Sequence, residues 1–144
     1  MQKEIDEAVD LYASEHPTAS IFYLMRIAEY GLRALVRERS VTFKNKDLEW
    51  ADWQDLISGI ETSATKQWYS RPRGPEKDAA QEFYKSALSH FSAFKDKYRN
   101  AVMHVRKLYS DEEATSAMTH VREFMNGLSA KIGQGTRKPI RKWP

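Results

Sequence analysis

Three polar residues interrupt the helical pattern of "KYRNAVMHVRK": Arg99, Asn100 and His104. Together they have the makings of a metal-free centre for cutting RNA. A base must remove the 2′-hydroxyl proton, and a cation must steady the charge that develops on the phosphate. Histidine suits the first task because its pKa lies near neutral. Arginine suits the second, since its planar fork binds two phosphate oxygens and keeps its charge. Asn100 could orient the phosphate or the imidazole. The alternative is a polar stripe on a packed helix.

The spacing is awkward for one helix. Asn100 and His104 lie one turn apart on one side, but Arg99 and His104 are about 140° apart around the axis. Two copies of the helix meeting across a two-fold axis could bring both side chains to a shared cleft.

Other chemistries find little support. The histidines are His16, His90, His104 and His120, and no two lie three or four apart. His90 and His104 are about 21 Å apart along a helix, too far to share a metal ion. Neither a metal nor another cofactor is expected. "RPRGPEK" lacks P-loop spacing, and there is no G-x-S-x-G elbow. Glu29 and Arg33, four apart, read as a surface ion pair.

The elements that must position these residues are all helical. The chain has 144 residues, 41% apolar and 12% aromatic, enough for one domain with a real core. Five helices and no strand are expected, packed as an antiparallel bundle of four to five helices. The first spans Gln2–Glu15 and stops near Pro17. The second spans Thr18–Arg39, with Ile21, Leu24, Met25, Ala28, Leu32, Leu35 and Val36 at helical spacing. After the irregular link "SVTFKNKDLEW", Asp52 caps a third helix, "WQDLISGIETSATKQ".

"WYSRPRGPEKD" reads as a loop. Its Arg71, Arg73 and Lys77 beside Trp68 and Tyr69 suit single-stranded nucleic acid, or a surface loop pinned by its own aromatics. The fourth helix spans Glu76–Leu108, with Phe83, Ala87, Phe91, Phe94, Tyr98, Ala101 or Val102, Val105 and Leu108 on its buried side. Ser110 and Glu113 form a capping box for the fifth, which ends near Gly133. The bundle domain is thus residues 1–132.

Residues 133–144 form a basic tail. From Lys131 onward there are five basic residues and no acidic one, although the whole chain carries only +3. Such a tail can hold phosphates by charge, or serve as a solubilising terminus. Cysteine is absent, which suits a reducing cytosol. "MQKEIDEAVDLY" has no apolar core of a signal peptide, and no run reaches the roughly 18 to 20 apolar residues that cross a bilayer. A cytoplasmic protein with no membrane contact is expected.

"YRNAVMH" resembles the signature of the HEPN superfamily: an Arg, a polar residue, three more residues and a His. "SIFYLMRIAEYGLRAL", "WQDLISGIE" and "FKDKYRNAVMHVRKLYSDEEATSAMTHVREFMNGL" look like small single-domain bacterial members of that group, a likeness running from Ala19 to Leu128. The resemblance implies a HEPN-like helical bundle that dimerises. Many such proteins are metal-independent ribonucleases in toxin–antitoxin or other defence systems; others are inactive RNA- or protein-binding modules.

By position, Arg99 and His104 match the catalytic pair and Asn100 the polar residue. The resemblance further implies that both protomers contribute to one cleft, which Glu29 could approach. Arg71, Arg73, Arg106 and Lys107 are the expected RNA contacts. The expected partners are a second copy, RNA and a cognate antitoxin or defence protein.

Overall fold

The structure is a computed structural model that describes residues 1–100 and 108–132. Five α-helices carry the fold: α1 (Gln2–Ala13), α2 (Pro17–Glu38), α3 (Trp53–Ala64), α4 (Pro75–Phe94) and α5 (Asp111–Ile132). There is no strand among the described residues. A short 3-10 turn, Leu48–Trp50, lies in the link before α3. Two five-residue π turns, Thr65–Tyr69 and Lys95–Arg99, extend α3 and α4.

Local chemistry sets most helix ends. Pro17 is the first residue of α2, where its missing N–H costs nothing, so it starts α2 as well as limiting α1. Glu15 takes φ 60°, reversing the chain between them. Asp52 caps α3 as expected, in a reciprocal box: its carboxylate accepts from Asp55 N at 2.8 Å, and Asp52 N donates to Asp55 at 3.2 Å. Ser110 accepts from Glu113 N at 3.2 Å at the start of α5.

The chain divides into two compact units. One comprises Met1–Gly31 with the chain from Ala93 onward; the other is Leu32–Ser92. In the first unit, Ser20 donates to the Ala8 carbonyl at 2.8 Å and Arg26 reaches Glu4 at 3.3 Å, so α1 and α2 run antiparallel across their short turn. Tyr109, just before α5, donates its N–H to Thr18 at 2.8 Å. At the other end of this contact, a Cβ on Gly31 would lie 2.7 Å from Met125 Sδ and 2.9 Å from Leu128. α5 therefore runs parallel to α2, and Gly31 allows their close approach.

In the second unit, the guanidinium of Arg33 donates to the carbonyls of Leu48 and Ala51, the latter at 3.1 Å. Arg39 reaches Ser63 near the far end of α3, so within this unit α3 runs parallel to the last turns of α2. The link between them, residues 39–52, is long enough to return the chain; the antiparallel expectation holds only across short turns. Trp53 packs edge-on against Phe91 at 6.1 Å between ring centres.

The buried face of α4 departs from the sequence reading in two places. Ala80, Tyr84, Ala87, Phe91, Phe94 and Tyr98 are buried, in steps of four and three. Phe83 is only half-buried, and Tyr84 takes the inward position because its hydroxyl finds Arg39. Leu108 is non-helical and 82% exposed, and Tyr109 is the buried residue instead. Its ring meets that of Tyr98 at 5.7 Å, which gives tyrosine more to pack against than a terminal leucine would have.

Candidate functional site

Arg99 closes the π turn Lys95–Arg99, and helical geometry continues to Asn100; both are half-buried. In a π turn the N–H bonds five residues back, so the helix face is re-phased where the signature begins. π turns of this kind recur at functional sites.

Beneath Arg99 the turn is fixed by aromatics. Tyr98 is 2% exposed. Its ring meets the Tyr109 ring at a 54° tilt, and the Lys97 ammonium lies 5.1 Å from its centre. The Tyr109 hydroxyl donates to the Lys97 carbonyl at 2.5 Å, satisfying an oxygen in the turn. The Tyr98 hydroxyl is buried and has no hydrogen-bond partner among the described residues. A buried orphan hydroxyl costs about 1–3 kcal/mol. Arg99 and Asn100 thus ride on a segment whose backbone is held from below.

His104, Arg106 and Lys107 lie outside the described residues, as does the basic tail beyond Ile132. The structure therefore places the first two members of the signature.

Arg71 and Arg73 fall in the other unit, in the loop between the first π turn and α4. The Arg71 guanidinium lies 4.4 Å over the Trp68 ring. Lys77 donates to the carbonyls of Tyr69 at 2.8 Å and Arg71 at 2.9 Å. The loop is pinned by its own basic and aromatic residues, while Arg73 is exposed. Among the described residues, no group of three or more His, Asp or Glu is placed to hold a metal ion. No described helix is long and apolar enough to cross a membrane.

Two polar clusters were not apparent in the sequence. At α1, Glu4 accepts from the Met1 ammonium at 3.1 Å, from Arg26 at 3.3 Å and from the Tyr30 hydroxyl at 3.2 Å. The ammonium first, then the backbone N–H and Arg26, hold its carboxyl at about 2, below the ordinary 4.5. The other cluster centres on Arg39. Its guanidinium donates to Ser63 Oγ at 3.1 Å, to the Ser63 carbonyl at 3.2 Å, to Tyr84 at 2.6 Å and to Gln67. The only hint in the sequence was the hydroxyl-rich "SGIETS" of α3.

Beside Arg39, an open groove of about 480 Å³ runs between residues 40–43 and α3. Its wall carries Asp55, whose carboxylate meets Lys46 at 2.6 Å. The Lys46 hydrogen bond, then that of Asp52 N, lowers the Asp55 pKa, and the same contact raises that of Lys46.

No protein-family model matches the chain, and no curated protein or solved structure is detectably similar to it.

Proposed function

We propose that the protein is a metal-independent endoribonuclease of HEPN type, acting as a homodimer with a composite cleft and serving as a toxin or defence ribonuclease. The observation that carries this reading is the placement of Arg99 and Asn100. They stand half-buried on a π turn held from below by Tyr98 and Tyr109, within an intact Arg-Asn-x-x-x-His signature.

In this reading the 2′-hydroxyl attacks the adjacent phosphate, giving a 2′,3′-cyclic phosphate and a free 5′-hydroxyl. His104 takes part in the proton transfer. Arg99 binds the pentavalent phosphorane through two N–H groups, and Asn100 orients. A second copy supplies the matching pair, which relieves the awkward angle between Arg99 and His104. The HEPN-like identity of the bundle, the RNA contacts of Arg106 and Lys107, the antitoxin-type partner and the cytoplasmic setting belong to the same proposal.

The alternative reading is a non-catalytic HEPN-like RNA- or protein-binding module, which would bind without turnover.

The deciding experiment is RNA cleavage in EDTA, comparing wild type with Arg99→Ala and His104→Ala. The proposal expects cyclic-phosphate ends from wild type, and neither cleavage by the variants nor cutting of DNA. It fails if wild type leaves mixed RNA intact or if His104→Ala cuts equally well.

A further inference from the structure

The groove beside Arg39 has the composition of a ligand site, and its features lie entirely within the unit Leu32–Ser92. One wall is the segment Ser40–Phe43, turned by Ser40 at φ 52°. The other is the face of α3 around Gly59. A Cβ at Gly59 would lie 2.8 Å from Val41 Cγ1 and 3.2 Å from Phe43 Cε1, so glycine is what lets the segment lie close over the helix.

Three observations point to the kind of ligand. First, the groove is lined by five hydroxyl side chains, Ser40, Thr42, Ser58, Thr62 and Ser63, together with Phe43 and Lys66. Hydroxyls both donate and accept, as a sugar and the edge of a base require. An aromatic wall offers a base a surface to stack on.

Second, the groove is bordered by positive charge without a matching carboxylate. The hydrogen-bond partners of the half-buried Arg39 are all neutral: Ser63, Gln67 and Tyr84. Among the described residues, no carboxylate pairs with Arg39 or Lys66. The one carboxylate in the wall, Asp55, is already neutralised by Lys46. Lys66 lines the groove at an exposed position and Arg39 stands half-buried behind Ser63; cations without counter-charge attract anions.

Third, a volume of about 480 Å³ is within the usual range of small-molecule sites and larger than a lone phosphate needs.

We propose that this groove binds a nucleoside phosphate. The phosphate sits toward Lys66 and the Arg39–Ser63 end, and the nucleoside lies along the hydroxyls against Phe43. The inference is independent of the reading given to Arg99.

The test is an amide-resolved NMR titration of the full chain with adenosine and uridine 5′-monophosphates. Adenosine and inorganic phosphate serve as separate probes. The expected result is a Kd of about 0.1–1 mM for a nucleotide, with shifts centred on residues 40–43 and 58–66. Either half alone should bind about tenfold or more weakly. Lys66→Glu, at an exposed position, should weaken nucleotide binding about tenfold or more, and Thr62→Val by a smaller factor. Arg122→Ala, an exposed cation in the other unit, should change nothing.

Absence of shifts in the groove at about 10 mM nucleotide overturns the proposal. So does an unchanged Kd in Lys66→Glu, or phosphate binding as tightly as the nucleotide.

Discussion

The π turn Thr65–Tyr69 follows α3, and the π turn Lys95–Arg99 follows α4. Each has an aromatic residue fourth, Trp68 and Tyr98, whose buried polar atom has no hydrogen-bond partner among the described residues. Each places a cation over that ring, Arg71 at 4.4 Å and Lys97 at 5.1 Å. From there they diverge. Trp68 is half-buried, and its helix stops at Ser70 in a loop tied down by Lys77. Tyr98 is fully buried and packed at a tilt against Tyr109, and its helix continues to Asn100.

One turn ends a helix with its cation occupied locally. The other re-phases a helix and delivers Arg99 and Asn100 to a half-buried position. The same backbone device thus serves a surface closure in one unit and a candidate reaction centre in the other. What differs is the depth of the aromatic beneath it.

This contrast can be broken in several ways. The largest effect expected is on cleavage. His104→Ala should lower the rate by about 10²–10⁴-fold or more with an unchanged circular dichroism spectrum. Arg71→Ala, at the other turn, should leave the rate within about threefold, given its local role over Trp68. Equal losses from both variants would mean that the two turns do not divide structure from chemistry.

Next in size is stability. Tyr98→Ala removes a buried ring and should cost about 3–5 kcal/mol in urea unfolding. Trp68→Ala, at a half-buried position, should cost less, about 2 kcal/mol. A reversed order would show that burial does not set the difference between the turns.

A sharper probe is Tyr98→Phe, which deletes only the orphan hydroxyl. With no partner to lose, the variant should match or exceed wild-type stability by up to about 1 kcal/mol. A loss of more than about 1 kcal/mol would indicate a partner for that hydroxyl.

The smallest effect concerns pH and serves as a control away from both turns. The Glu4 carboxyl has a folded pKa of about 2 against 4.5 when unperturbed. Its contribution is therefore complete above pH 4.5 and lost as pH falls from there toward 2. Glu4→Gln should flatten that part of the stability curve while costing about 1 kcal/mol at pH 7. Chemical denaturation between pH 2 and 7 reads both; an unchanged slope in the variant would deny Glu4 this role.

How much of this was legible beforehand depends on the range of the interaction. The helices, the Asp52 cap and the Ser110–Glu113 box depend on side chains three or four apart, and all were readable from spacing. The inward turn of Tyr84 was not, because its partner Arg39 is 45 residues away. Nor was the burial of Tyr109 in place of Leu108, which rests on the Tyr98 ring and on the Lys97 carbonyl, 12 residues away.

The sequence by itself determined the all-helical class, the helix starts and the identity of the polar residues that could do chemistry. Each of these is fixed by neighbours within about one turn. Only the tertiary structure decided that α5 runs parallel to the part of α2 in its own unit. It also decided that Arg39 gathers neutral partners beside a groove, and that Arg99 rides on a π turn above a buried tyrosine. Those outcomes depend on which distant side chains fill the space against a helix, and local periodicity carries no record of that.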